Sequence, residues 1–536
     1  MSRGIHGATL FGARAHLVRV EAQTGRGLSR TILSGMPDAV AKEVRERLPA
    51  ALAAHGLRHP TGKILFNLVP AQMPKQGLPL DLALAASLLI ADGQWPAPRR
   101  TLICVAELDL QGRLGPPSRG LLLAALAASR VEGAVLVTAP ESAAEAALAP
   151  SLAVLGCFDL GTLGALLTQS PETWPFATVR AGLAGAVEPA SESLRLDAVR
   201  GQPLARHAAL LAAAGGHALW MQGPPGTGKS MLARRILPLL EDLTPECALQ
   251  VAQVETLFGP VRALPRRPPF RAPHTSASAQ ALLGGGTPLR PGEIARAHGG
   301  VLFLDELPEF PRNALEGLRQ PLEEKEVRLQ RAREWAAFPA DVLLVAASNP
   351  CACGYRDHPR IPCRCSEAAL RRYRSRVSGP LQDRFDLFVE VGPVSAVEME
   401  APASAPSDET VRALLAATRV YQSERSAARG FARASDAGLE ALQAAGVAAP
   451  ARALLREAAD GLALSGRGML RCLRVARTCA DLDQRDTIHA EDVRTAISFR
   501  LLPAAEGAAT TGGLPPRLAA LLRRARERRG QPAAGC

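Results

Sequence analysis

The sequence predicts an α/β fold: a core of parallel strands linked through glycine-rich and acidic turns, a helical lid after it, and an α+β domain before it. The core rests on three segments. Gly223-Pro224-Pro225-Gly226-Thr227-Gly228-Lys229-Ser230 fits the phosphate-loop pattern GxxxxGK[ST] between an apolar run and a helical one. Val301-Leu302-Phe303-Leu304 is a buried-strand pattern ending in Asp305 and Glu306. A third apolar strand, residues 341–348, ends in Asn349.

At 536 residues the chain has room for about three domains. Hydrophobic residues make up 47%, ordinary for a globular protein. The net charge is +12, and only five of the 63 basic residues are lysines. That balance favours a polyanionic partner, with an arginine-biased surface as the alternative. No run of 18 apolar residues occurs, and the first residues lack the apolar core of a signal peptide, so a cytoplasmic protein without a membrane span is expected. Four of the ten cysteines are clustered, which in a reducing compartment points to metal.

In chain order, residues 1–170 mix strand-like stretches (15–21, 64–68) with helix-like ones (38–55, 80–91). Further strands at 101–105 and 134–138 alternate with Ala-rich helices, as expected of an independent α+β domain. Residues 171–195 scatter Pro, Gly and Ser without periodicity and read as a linker.

Residues 196–395 carry the core. The strand at 217–222 leads into the glycine-rich turn, and the helix at 231–237 is stopped by Pro238. Backbone N–H groups from Gly223 to Gly228 then face an anion, Lys229 reaches the terminal phosphates, and Ser230 holds magnesium. Asp305 can coordinate the same ion through water, and Glu306 can polarise the water that attacks the γ-phosphate. The amide of Asn349 can orient that water. The cofactors implied are ATP and Mg2+.

Between these strands, Gly284-Gly285-Gly286 forms an insert, and residues 326–338 read as a hairpin. Arg328, Arg331 and Arg333 on that hairpin are candidate phosphate contacts, with a solvated basic strand as the alternative. Cys351-x-Cys353 and Cys363-x-Cys365 supply four thiolates, which suit tetrahedral zinc. Their spacing is tighter than the usual C-x₂-C, so reduced free thiols are the alternative. A basic segment, residues 371–376, follows. Composition changes after Pro393, residues 396–503 form a helical lid, and residues 504–536 form a basic, flexible tail.

Phe270-Arg271-Ala272-Pro273-His274-Thr275-Ser276, Leu283-Gly284-Gly285-Gly286, Pro291-Gly292-Glu293-Ile294 and Ala297-His298-Gly299-Gly300 resemble the interior of AAA+ ATPases of the ComM (YifB) family, which are magnesium-chelatase-like. In the first domain, Leu33-Ser34-Gly35-Met36-Pro37, Asn67-Leu68-Val69-Pro70-Ala71 and Pro74-Lys75-Gln76-Gly77 resemble that family's Lon-protease-like domain. The likeness runs from about Gly4 to about Pro503 and implies an AAA+ P-loop core with an α-helical lid behind an α+β Lon-protease-like domain. In Lon a nucleophilic serine closely follows the corresponding segment; here Leu78-Pro79-Leu80-Asp81-Leu82 offers no hydroxyl, so this domain is expected to be a non-proteolytic platform.

The resemblance also implies residue roles. Residues 378–387 are similar to an arginine-finger segment, so Arg384 would act on a neighbour's nucleotide. Residues 465–478 resemble the sensor 2 helix, from which Arg471, or else Arg467, would lean onto the nucleotide from the lid. The glycine insert and the hairpin are similar to pore-facing insertions. The family's activity would be that of a hexameric branch-migration helicase acting on DNA, without sequence preference, during integration of transforming DNA. A magnesium-chelatase-like metal-insertion or protein-remodelling ATPase is the alternative.

Overall fold

The computed structural model describes residues 4–177 and 196–500, except 37, 74, 76, 197, 332–333, 357, 359, 401–406, 430 and 432. Most of the expected linker, the expected tail and Arg333 lie outside the described residues.

The first unit is built on a seven-stranded sheet in the order Arg30–Ser34, Lys63–Val69, Arg14–Gly25, Ile5–Phe11, Leu102–Cys104, Val135–Thr138, Ala153–Gly156. Its burial patterns follow from what covers each face. Lys63–Val69 alternates, with Ile64, Phe66 and Leu68 buried, so one face is packed and the other less covered. Val135–Thr138 is buried at every position, because it runs parallel to both neighbours with helices on both sides. Asp38–Ala53 and Asp81–Ala91 cover one face, and Leu121–Ala128 and Pro140–Ala146 the other. The expected strands and helices of this unit are present. Ile5–Phe11, Arg30–Ser34 and Ala153–Gly156 are strands that the pattern did not reveal.

The second unit is a five-stranded, all-parallel sheet in the order Phe270–Arg271, Val301–Leu304, Leu343–Ser348, Leu219–Gln222, Leu387–Glu390. Leu343–Ser348 is inserted between the strand that feeds the glycine-rich turn and the strand that ends in Asp305. Gln222 is in register with Ser348, and Leu304 with Ala346. The turn, the acidic pair and Asn349 therefore leave the sheet along one edge. The lid divides into the helices Asp408–Arg429, Leu439–Ala444, Ala449–Leu462, Gly466–Leu482 and Ala490–Ser498.

The first unit packs directly against the second. Ala8, Leu10, Leu121 and Ala125 share one hydrophobic cluster with Val254, Leu257, Ala336 and Phe338. The Gly120 N–H donates to the Thr256 carbonyl at 2.6 Å, and the buried Thr256 hydroxyl donates to Glu145 at 2.6 Å. Alternating strands and helices on each side disclose no such seam, because its apolar residues match those of an internal core. No helix among the described residues is long and apolar enough to cross a membrane.

Candidate functional site

The phosphate loop leaves the sheet after Gln222 and enters the helix Lys229–Ile236 at Gly228. Gly226 and Gly228 have φ of +77° and +86°, a left-handed backbone that other residues adopt only with strain. The Lys229 ammonium is nearly buried and donates to the carbonyls of Gly223 and Pro224 at 2.7 Å each, with Asn349 Oδ1 at 3.4 Å. Desolvation lowers the Lys229 pKa, and Asp305 and Glu306 oppose that shift.

The Ser230 hydroxyl donates to Asp305 at 2.6 Å, so these oxygens can serve one cation. Glu306 follows at the strand end with φ +49°, a conformation a glutamate adopts only where its surroundings enforce it. The structure thus brings Lys229, Ser230, Asp305, Glu306 and Asn349 to one edge of the sheet, and this donor set fits a magnesium–nucleoside triphosphate.

Sequence reasoning missed Tyr373 on the helix Glu367–Arg374. This buried phenol hydrogen-bonds the backbone of Asn349 and lies beside Glu309, Cys351 and Glu306; burial, and then Glu309, push its pKa up. Its signal was weak: a single aromatic in a run of arginines, on a helix buried only at Leu370 and Tyr373.

The cysteine cluster begins at Cys351, just after Asn349. Its four sulfurs all lie within 4.8 Å of one another, and three pairs are at 3.3, 3.6 and 3.7 Å. A tetrahedral zinc with bonds of about 2.3 Å requires sulfurs about 3.8 Å apart, so the set fits that ion. Backbone hydrogen bonds at Tyr355 and Arg364 bring the Cys353 thiol down to about 6.

Arg384 and Arg471 do not join this edge. Both line a cavity of about 590 Å³, with Arg433, Arg467 and Arg474 also in its wall. Gly216, Ala218, Asp341, Leu343 and Leu344 place that cavity at the start of the central strands. The phosphate loop and Asn349 lie at their other end. Leu343–Ser348 has 6 residues, which at about 3.3 Å each separates the two ends by about 17 Å. Arg471 therefore stands across the sheet from the phosphate loop of its own chain.

Arg471 is held instead by the Phe385 carbonyl at 3.1 Å and by Asp386 at 3.8 Å, while Arg384 pairs with Glu323. Asp386 is also bound by His217 at 3.4 Å, and His217 accepts or donates at 2.7 Å to Thr478 of the lid helix. Arg467 is exposed in the same cavity wall.

Family models described as magnesium chelatase, subunit ChlI; subunit ChlI of Mg-chelatase; and magnesium chelatase, subunit ChlI C-terminal match residues 195–399, 20–142 and 405–500. The chain is 36% identical to the uncharacterized protein YifB of Escherichia coli over 505 residues, 93% of this chain and 97% of that protein. It is 35% identical to competence protein ComM of Haemophilus influenzae over 505 residues, again 93% and 97%. An uncharacterized protein of Mycobacterium tuberculosis is 39% identical over 499 residues, 91% of this chain and 96% of that one.

The chain belongs to the ComM/YifB family of magnesium-chelatase-like proteins. Its parallel five-stranded unit is the P-loop AAA+ core of that family, followed by a helical C-terminal region. Membership makes it an ATPase of the magnesium-chelatase-like type, with ATP and magnesium as cofactors.

Proposed function

We propose that this chain is one subunit of a head-to-tail ring, a hexamer by family resemblance, that uses ATP hydrolysis to move along DNA. The separation of about 17 Å between phosphate loop and arginine cavity carries the reading. A site whose cations lie across the sheet is completed only when the next subunit presents that surface, and repeating this heterologous contact closes a ring.

ATP with magnesium supplies the phosphoryl group and the charge that orients it. Backbone N–H groups of the loop and the Lys229 ammonium hold the phosphates, and Ser230 and Asp305 hold the cation. Glu306 takes the proton of the attacking water, and Asn349 fixes that water's direction. Arg384 and Arg471 of the adjoining subunit neutralise charge developing at the γ-phosphate; comparable fingers raise rates by roughly 10³ to 10⁵. The four cysteines hold one structural zinc, and the first unit is a Lon-like platform without protease activity.

DNA as the track rests on the net charge of +12, on the arginines of the hairpin and on likeness to a protein named for competence. Branch migration during integration of transforming DNA is the specific activity we assign, in the cytoplasm. The test is the ATPase rate with and without forked DNA across a salt series. Stimulation, with log affinity falling linearly in log salt, is the expected result. If DNA neither binds nor stimulates, metal insertion or protein remodelling, to which the magnesium chelatase models point, takes its place.

A further inference from the structure

The chain has four tryptophans, and three are buried: Trp95, Trp174 and Trp220 are 5–6% exposed, whereas Trp335 is 61% exposed. It lies on the hairpin of Glu326–Arg331 and Glu334–Pro339. Alternation sends Val327, Leu329, Ala336 and Phe338 inward to the cores, where Val327 and Phe338 are 1–2% exposed. The opposite face carries Arg328, Gln330, Trp335 and Ala337.

Trp335 is directly opposite Gln330, and Arg328 is opposite Ala337 and hence diagonal to Trp335. Such neighbours lie within roughly 5–8 Å. Arg328 is steadied by Glu326 at 2.8 Å and Glu324 at 3.4 Å, whereas Arg331, exposed further along the strand, falls on the other face by the same alternation. The support beneath is stiff. Gly12, at φ +60°, lies so close that a Cβ there would be 2.8 Å from Ala336 Cβ and 2.9 Å from the Trp335 carbonyl oxygen. The indole is thus mounted on a strand that the first unit clamps, with its ring open to solvent.

We propose that Trp335 is a stacking platform for the unpaired bases of single-stranded DNA, with Gln330 beside the ring and Arg328 directed to the backbone. The proposal rests on the DNA-motor reading and adds what part of DNA is held. An exposed indole alone suits many partners; an indole with an arginine diagonal to it, on a chain of net charge +12, suits an anionic chain that carries aromatic bases. Stacking tolerates any base, as a motor that passes over every sequence requires.

The test uses the full chain and two labelled probes, a dT 20-mer and an abasic 20-mer of equal charge, compared by anisotropy at one salt concentration. The wild type is expected to bind dT about 5- to 100-fold more tightly than the abasic probe. Trp335→Ala should lose that preference and keep its abasic affinity, and Trp335→Phe should restore most of it. A preference undiminished in Trp335→Ala overturns the platform and leaves the motor intact. An altered sedimentation profile for Trp335→Ala would assign the ring to a contact between subunits instead. Failure of the wild type to bind either probe removes the DNA reading itself.

Discussion

Gly354, next to Cys353, packs against Pro225 of the phosphate loop. A Cβ built on Gly354 would fall 2.8 Å from Pro225 Cδ, and its φ of +85° independently disfavours a side chain. The cysteine segment also begins beside Asn349 and leads to Tyr373, which hydrogen-bonds Asn349. The four sulfurs therefore brace the edge that carries the phosphate loop. Cys353→Ser should lower bound zinc from about one per chain and reduce ATP turnover by about 10²-fold, the scale of an ångström-level misplacement. Metal analysis beside steady-state ATPase checks this; zinc-free protein with full turnover would break the link.

Lys229→Ala and Glu306→Gln should fail differently. Lys229 touches the loop carbonyls and Asn349, so its removal takes away the cation for the phosphates, and nucleotide binding should be lost. Glu306 stands at a strained strand end, and on the proposed mechanism it acts on water, so Glu306→Gln should bind ATP with near-normal affinity and turn it over at least about 10²-fold more slowly. Equilibrium binding of a labelled ATP analogue, read beside turnover, separates the two.

That Lys229, Ser230, Asp305, Glu306 and Asn349 meet at one edge was legible because the pattern is local: a glycine turn, two acids and an amide each stand at the end of an apolar strand. The positions of Arg384 and Arg471 were less so, since which end of a strand a distant arginine reaches depends on how the lid helix Gly466–Leu482 is seated. Residues of that seat, His217 and Thr478, are ordinary in sequence and meet only in the fold. Ile5–Phe11 escaped notice for a related reason: His6 and Thr9 are buried in it, so it lacks both alternation and a pure apolar run. Tyr373 needed the third dimension as well.

Asp386 ties the core to the lid, and its charge should register in acid. Burial opposes ionisation, yet His217 and Arg471 hold the carboxyl below the ordinary aspartate range. A depressed folded pKa contributes stability that is complete above the unfolded value of about 3.9 and is lost as pH falls through the folded one. Asp386→Asn should thus be less stable than wild type at pH 7, by about 2 kcal/mol, and the gap should close below about pH 4. Thermal unfolding of both proteins at the two pH values measures it; a constant gap would mean the charge is not what matters.

If Arg384 works only across a subunit boundary, two dead proteins should rescue each other. Arg384→Ala keeps its phosphate loop and loses the cation it presents to a neighbour; Lys229→Ala keeps that cation and loses the loop. Each alone should be inactive. Mixed and allowed to reassemble at equal amounts, about one interface in four joins an intact loop to an intact arginine, so turnover should return to at most about a quarter of wild type. Arg471→Ala should complement Lys229→Ala in the same way, because Arg471 shares the Arg384 cavity. A cis role predicts otherwise: Arg471→Ala and Lys229→Ala would disable sites on their own chains, and no mixing ratio would restore hydrolysis. Arg384→Ala that is fully active alone would show instead that its pairing with Glu323 is the whole of its function.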